Sequence, residues 1–391
     1  MRLLILTFNF PYRSSKGTMG YGGGDIAVLQ HAQELTSRGH KAIVVSRKSR
    51  SDHGGEIYPN TYRTPSFGFH NRTLTGFDVL RFINLATRIA KQEKVDIIES
   101  HNPIGAVVGY FVAKRTKKPH VIYMHGPWAK ARELSNTGLM TNKIARGIEG
   151  FTLRRANLII TVSESLKKEL LHKYALNKKK ITHIANAVDA DFFKPMEKNN
   201  ARQRLNLPID KFIILYTGRF VEEKGIFDLL KAAEEFKNKN VLFLLVGDEA
   251  RSKWLHEQVK NKNLARHFKI APFTEYEEMP YYYSAADLFV LPSYAEGMSR
   301  AMLEAMSCQT AVAVTPVGGN SEVVKHEKNG LLIEPKNPRD IAHAINYILR
   351  NKNKAGEMAK TARKTIIQGH TVKRRTDAFI SAYQDLLKKK K

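Results

Sequence analysis

The feature that most restricts the fold is an alternation that runs the length of the 391-residue chain. Short apolar runs of four to six residues are each followed by a longer stretch with apolar side chains at helical spacing. The runs fall at 3–8, 42–46, 96–99, 121–124, 158–162 and 181–184, and again at 212–217, 241–246, 268–271, 288–291, 311–315 and 331–334. Most are continuous in Val, Ile, Leu and Phe. A strand covered on both faces has this pattern, because neither face meets water. Such strands interleaved with amphipathic helices predict an α/β protein built on parallel sheets.

The two sets of six are separated by a polar stretch over about 186–210, which reads as a linker. At roughly 100–200 residues per domain, the expectation is two doubly wound, Rossmann-like domains, 1–187 and 188–369, facing across a cleft. The last stretch, 370–391, is helical in pattern and free to pack back on the first domain. Open parallel sheets bind ligands beyond the carboxyl ends of their strands, so functional residues are sought just after strands.

Charge narrows the partners. The chain carries 64 Lys+Arg against 37 Asp+Glu, a net +27, and 42% hydrophobic residues place that charge on folded domains. Residues 101–180 hold 16 basic and 4 acidic side chains. An anionic partner is implied: nucleic acid, an anionic membrane or a phosphorylated small molecule. No zinc-finger spacing or RNA-binding aromatic signature is present, which argues against a specific nucleic-acid binder. The lone Cys308 excludes a disulfide scaffold and a Cys-rich metal site. No run approaches the roughly 20 apolar residues of a membrane span, and the first ten residues lack a signal-peptide pattern. A cytoplasmic protein is expected, with peripheral contact at the inner face of the membrane through 138–155. That stretch sets Leu139, Ile144, Ile148 and Phe151 beside Lys143, Arg146, Arg154 and Arg155. The alternative is that the helix simply buries its apolar stripe.

After the run 288–291 comes PSYAEGMSRAMLEAMSC. Glu296 falls in a loop, Gly297 permits a tight turn, and Ser299 suits the cap of a helix carrying Glu304. On one continuous helix, eight residues would separate the two carboxylates by roughly 12 Å of rise. That fits two acceptors gripping hydroxyls on separate rings of one extended ligand better than a glycosidase pair. Backbone N–H groups of Met298, Ser299 and Arg300 at the helix start would favour anionic or hydroxyl oxygens. After the run 212–217, Gly218 and Arg219 begin a turn that reaches Lys224-Gly225 at a helix start. A planar guanidinium and a mobile ammonium make a sensible pair for a diphosphate. In the first half, Gly20, Gly22, Gly23 and Gly24 precede a helix, and His101 and His125 each follow a strand.

At these residues the sequence resembles the retaining GT-B glycosyltransferases of family 4, the "glycosyl transferases group 1" type. The matching features are Gly39-His40, His125-Gly126, Val162-Ser163-Glu164 and Asn186-Ala187-Val188-Asp189 in the first half. In the second they are Gly218-Arg219, Glu223-Lys224-Gly225, Pro292-Ser293, Glu296-Gly297, Glu304-Ala305-Met306, Gly318-Gly319, Glu322 and Asn329-Gly330. Ala187 stands where the family usually has Gly, and Gly247-Asp248-Glu249 replaces the commoner Gly-x-Gly turn. The resemblance implies a donor sugar nucleotide held by the second domain and an acceptor held by the first. It implies that Arg219 and Lys224 hold the diphosphate, and that Glu296, Gly297, Met298 and Ser299 hold the transferred sugar. Glu304 would bind the ribose, Gly23 or Gly24 would approach the β-phosphate, and His125 would lie beside the reacting ring. The base would meet the loop of Pro272, Phe273 and Thr274, with UDP favoured over GDP. No metal and no cofactor is implied, and the acceptor is lipid-linked, a polysaccharide or a small molecule. A sugar-nucleotide epimerase or a phosphorylase on the same scaffold is the enzymatic alternative, and a basic nucleic-acid-binding protein the remote one.

Overall fold

The computed structural model describes residues 1–13, 19–20, 23–48, 57–64, 76–126, 139–247, 251–271 and 274–389. It divides into two compact units, Met1–Ala185 with Val372–Lys391, and Asn186–Thr371.

The first unit is built on a parallel sheet of seven strands: β1 (Arg2–Leu6), β2 (Lys41–Arg47), β3 (Thr61–Thr64), β4 (Ile97–His101), β5 (His120–Met124), β6 (Leu158–Thr161) and β7 (Ile181–His183). Their order is β3-β2-β1-β4-β5-β6-β7. Helices α1 (Gly23–Ser37), α2 (Gly76–Gln92), α3 (Asn102–Thr116), α4 (Leu139–Arg155) and α5 (Glu164–Tyr174) connect them. The central strands are fully buried, as their apolar composition requires. Leu4, Leu6, Ile43 and Val45 pack on Phe82, Ile83, Ala86 and Ile89 of α2, spaced along one helical face. The seventh strand, β3, is absent from the apolar pattern. It is the polar edge Thr61-Tyr62-Arg63-Thr64, paired on one side only, in register with Val44–Arg47. A half-exposed edge strand carries no continuous apolar run, which is why six strands were expected. The C-terminal helix Val372–Lys388 belongs to this unit. Phe379 and Tyr383 are fully buried in it, and Asp377 pairs with Arg38 at 2.5 Å.

The second unit has a six-stranded parallel sheet: β8 (Phe212–Gly218), β9 (Val241–Gly247), β10 (Phe268–Ala271), β11 (Leu288–Leu291), β12 (Ala311–Val314) and β13 (Leu331–Leu332). The order is β10-β9-β8-β11-β12-β13. Its helices are α6 (Lys198–Arg204), α7 (Ile226–Ala233), α8 (Ser252–Asn261), α9 (Met279–Ala285), α10 (Arg300–Ser307), the single turn α11 (Asn320–Val323), α12 (Pro338–Arg350) and α13 (Lys352–Gly369). The stretch read as a linker is part of this unit. Phe193 is fully buried against Tyr276 and Tyr283. The buried Arg202 guanidinium donates to the carbonyls of Ala285 and Ile209 and to Asp287 Oδ2 at 3.0, 2.7 and 2.6 Å. A polar sequence hid a segment whose Phe193 and Arg202 are buried in the fold while most of its other polar side chains stay exposed.

In both sheets the strand order reverses at one place, between β1 and β4 and between β8 and β11. At such a switch point the following connections leave in opposite directions and open a crevice at the carboxyl ends of the strands.

Candidate functional site

The expected donor residues gather at the switch point of the second sheet. The β8 connection carries Gly218, Arg219 and Lys224, and the β11 connection carries Ser293, Glu296 and Ser299. These two connections are locked together. Tyr294 N–H donates to the Glu223 carbonyl at 2.8 Å. Gly225, at φ 71°, packs so tightly that an added Cβ would sit 2.1 Å from the Pro292 carbonyl oxygen. Gly318, at φ 57°, backs the other side of the loop, where a Cβ would come within 2.1 Å of the Glu296 carbonyl oxygen. Only glycine fits either place.

Lys224 Nζ and Ser293 Oγ both donate to Glu296 Oε1, at 2.7 and 2.8 Å. The lysine and glutamate side chains are 20% and 12% exposed, so the pair is sheltered yet reachable. Arg219 is 60% exposed and pairs with Glu223 one turn on. Its carbonyl accepts the Tyr216 hydroxyl at 2.7 Å, which pins the turn.

Glu304 has a different setting. Helix α10 begins at Arg300, so Glu296 stands in the preceding loop and the two carboxylates do not share a helix. Glu304 is buried, with Tyr283 Oη donating to its Oε2 at 2.9 Å and Arg300 3.6 Å from its Oε1. The Tyr283 hydroxyl also lies 3.2 Å from Thr217 Oγ1 of β8. Burial raises the Glu304 carboxyl above its ordinary value, against the opposing pull of Arg300 and Tyr283. Tyr283 and Thr217 have no signature in the sequence; only the fold brings them beside Glu304.

At the start of α10 the Ser299 amide, one of the three expected to be open, is taken. Ser299 caps the helix by accepting the Met302 N–H at 3.2 Å, but its own N–H is taken by Asn320 Oδ1 at 3.1 Å. The Met298 carbonyl accepts from Asn186 Nδ2 at 3.3 Å, and the Gly297 carbonyl from Gly319 N–H at 2.7 Å. Of the proposed base loop, Thr274 is described and half-buried, while Pro272 and Phe273 lie outside the described residues. So do Asp248, Glu249, Tyr21 and Gly22.

A cavity of about 770 Å³ opens in this unit at the opposite edge, beside Phe212, Asn240, Asp287 and Ala311 where strands begin. Of the five cations that line it, Lys198 and Arg202 are paired with Asp287, and Lys211, Lys352 and Lys360 are the others. Volume alone therefore does not mark the chemistry here.

In the first unit, Gly23 and Gly24 open α1, and a Cβ at Gly24 would meet no atom within 4 Å. The chain itself does not require glycine there. At the end of β4, Asn102 takes φ 64° and accepts the Gly105 N–H at 2.9 Å, turning strand into helix. This sets His101 beside His125, whose Nε2 lies 2.8 Å from His101 Nδ1. His101 Nε2 is 2.7 Å from Glu99 Oε1. Glu99 is fully buried and also receives Tyr383 Oη, with His31 Nε2 at 3.3 Å. Burial by itself would push the Glu99 carboxyl up. The charge of His31 and hydrogen bonds from His101 and His31 outweigh it and hold the carboxyl well below the usual range.

Comparison with known proteins bears on both units. The model of the Glycosyltransferase Family 4 domain matches residues 21–192, and that of Glycosyl transferases group 1 matches 197–365. A D-inositol 3-phosphate glycosyltransferase of Thermobispora bispora is 25% identical over 369 residues, covering 88% of this chain and 86% of that protein. An Escherichia coli UDP-Gal:alpha-D-GlcNAc-diphosphoundecaprenol alpha-1,3-galactosyltransferase is 26% identical over 310 residues, 77% and 78% of the two chains. Among solved structures, sucrose-phosphate synthase from Thermosynechococcus elongatus superposes with a TM-score of 0.87 at 23% identity, over 99% of each chain.

Proposed function

The chain belongs to the family-4 glycosyltransferases of GT-B fold, whose members retain anomeric configuration, and from that premise we propose a hexosyl or N-acetylhexosaminyl transfer from a UDP-sugar to a phosphate-bearing acceptor. That it moves sugar from a nucleotide sugar follows from the family. The observation that carries the finer reading is the Lys224–Glu296–Ser293 cluster at the second switch point, with Arg219 on the same connection.

Breaking the glycosyl–phosphate bond builds negative charge on the leaving diphosphate while the sugar becomes cation-like. In our reading Lys224 and Arg219 meet that charge, a task a divalent metal performs in other transferases. On donor binding Lys224 turns part of its hydrogen bonding from Glu296 to phosphate oxygens, which frees Glu296 to accept from sugar hydroxyls. Glu304, fixed by Tyr283, accepts from the ribose. Gly23 or Gly24 approaches the β-phosphate, with open space at Gly24, and His125 stands beside the reacting ring. The departing phosphate takes the acceptor's proton on the same face, so no side chain acts as nucleophile. UDP is favoured because the galactosyltransferase relative takes its sugar from UDP-Gal.

The acceptor class is read from charge. Both relatives act on phosphorylated acceptors, an inositol phosphate and a diphospholipid. The 16-to-4 basic excess of residues 101–180 suits either. One surface favours the lipid. On α4, Ile144 and Ile148 are 57% and 41% exposed instead of filling the core, and Phe111 on the adjoining α3 is 40% exposed. Lys114, Arg115, Lys143, Arg146 and Arg155 are exposed around them. Apolar side chains ringed by cations suit an anionic bilayer. The test is turnover with UDP- and GDP-sugars against lipid-diphosphate and inositol-phosphate acceptors, with mass spectrometry of products. Transfer from a UDP-sugar to a phosphorylated acceptor, undiminished by EDTA, is expected. Isomerised sugar nucleotide or phosphorolysis without transfer refutes the proposal. Sedimentation with anionic vesicles, lost in Ile144→Ser/Ile148→Ser and at high salt, is expected if the lipid arm holds.

A further inference from the structure

Behind His125 runs a buried chain of polar groups that the transfer reaction described above does not use. Its members come from three distant parts of the sequence: Glu99 and His101 from β4, His31 from α1, and Tyr383 from the C-terminal helix. We propose that Glu99 and His101 are positioning residues that fix the neutral His125 ring in one tautomer, with its proton on Nε2 and its lone pair on Nδ1. The inference rests on the reading that His125 stands beside the reacting sugar, and it names what sets that histidine's chemistry.

Each step follows from the one before. An ionised carboxylate only accepts hydrogen bonds. Glu99 stays ionised in its buried site because donors surround it: Tyr383 Oη on one oxygen, with His101 Nε2 at 2.7 Å and His31 Nε2 at 3.3 Å from the other. His101 must therefore carry its proton on Nε2, which leaves Nδ1 as an acceptor in the neutral ring. The atom facing that lone pair, at 2.8 Å, is His125 Nε2, so the proton between the rings belongs to His125. Nδ1 of His125 is then the unprotonated nitrogen, able to accept from an O–H and unable to donate to a sugar oxygen.

Packing holds the order in place. The His101 and His125 rings lie nearly parallel, 25° apart with centroids at 5.1 Å, and Tyr123 closes on both from β5. On the far side Phe379 covers His31 at 4.5 Å. The titratable and charged groups facing Glu99 and the two rings are thus His31 from α1, Tyr123 from β5, and Arg375 and Tyr383 from the C-terminal helix. A histidine whose second nitrogen is held by a buried acceptor has its tautomer and ring plane set from behind. The last helix of the chain, through Tyr383, adds a donor to the other Glu99 oxygen, while His101 alone carries the acceptor to His125.

The test reads the tautomer directly, with no substrate. Side-chain ¹⁵N spectra of histidine-labelled full-length protein, at a pH where the ring is neutral, should show His125 protonated on Nε2. The variant Glu99→Gln/His101→Phe removes the acceptor without stranding a buried charge. It should show His125 as a mixture of tautomers, with kcat lowered about 10- to 100-fold and UDP affinity within twofold of wild type. Tyr383→Phe, which keeps the packing, should retain the Nε2–H tautomer and most of the turnover, and it serves if the double variant does not fold. A wild-type His125 protonated on Nδ1 overturns the inference, as does a double variant whose tautomer relaxes while kcat stays unchanged. Failure of the wild type to bind any nucleoside diphosphate would instead overturn the function on which the role rests, a separate result read by calorimetry.

Discussion

Replacing Lys224 with Ala separates what this lysine does for the fold from what it does for the reaction. In the free protein Lys224 Nζ sits 2.7 Å from Glu296 Oε1, with both side chains partly exposed. Such a pair is screened, and its loss costs about 1 kcal/mol or less, because Glu296 keeps the Ser293 hydroxyl as a donor at 2.8 Å. For a domain of this size that lowers Tm by only about 2–4 °C. In the proposed transition state the same ammonium faces the charge growing on the diphosphate. Removing one such donor costs about 2–4 kcal/mol, or roughly 10²–10³ in kcat. The expected result is a small thermal shift beside a large loss of turnover, measured as nucleoside diphosphate released per second at saturating donor. Repeating Lys224→Ala in a Glu296→Gln background removes the ion-pair contribution. The loss should persist at about 100-fold there, because it comes from the phosphate and not from Glu296. A kcat within threefold of the parent in either background would refute the diphosphate role.

Three further outcomes are expected. Glu304→Gln should raise the donor KM while leaving the protein as stable or more stable at pH 7.5. The folded carboxyl titrates above its unfolded value, so ionised Glu304 costs stability as pH rises from about 4.5 through the raised pKa; a Tm difference favouring wild type at pH 7.5 and persisting at pH 4 contradicts this. His120, fully buried against Ser100 Oγ at 2.8 Å, has its pKa lowered to about 3 by burial. The unfolded chain binds that proton first, so stability should fall by about 1.4 kcal/mol per pH unit from 6.5 toward 3. Urea midpoints at pH 7 and pH 4 should converge in His120→Gln, and an unchanged acid slope refutes the assignment. Gly24→Ala adds a Cβ into space with no protein atom within 4 Å; unfolding should be unchanged or slightly later, while the donor KM rises about tenfold or more, about 1.4 kcal/mol by the tenfold-per-1.36 scale. Unaltered kinetics would remove Gly24 from the phosphate site.

How far the sequence carries this reading depends on whether the information is local. Twelve apolar runs match twelve strands, and for the nine interior ones the reason is that a strand buried on both faces must be apolar along its own length. The edge strand Thr61–Thr64 escapes the same test, since it is paired on one side only and its side chains are polar and for the most part only half-buried. The segment over 187–210 misleads for the opposite reason: Arg202 and Asp189 look solvated, yet Arg202 is buried on three carbonyls and a carboxylate, and Asp189 Oδ1 accepts the Asp191 and Phe192 N–H groups. Polar residues signal loops only when water is their partner.

The residues proposed to hold the donor are legible because they lie just past two strand ends. Gly218, Arg219 and Lys224 follow one strand, and Glu296 through Glu304 follow another. What the sequence by itself determined, then, is the pair of parallel-sheet units, the family, and the two connections that bear charge. Strand order is a property of the sheet and not of any segment, and it alone brings β8 beside β11, so that Lys224 meets Glu296 across 72 residues. The same holds more strongly for Tyr383 and Glu99, which are 284 residues apart and joined through the return of the last helix to the first unit. Local periodicity encodes which atoms are buried, because burial acts on each segment separately. Which buried atoms become partners is settled only when the segments pack, and on those partnerships the proton positions and carboxyl ionisation of the site depend.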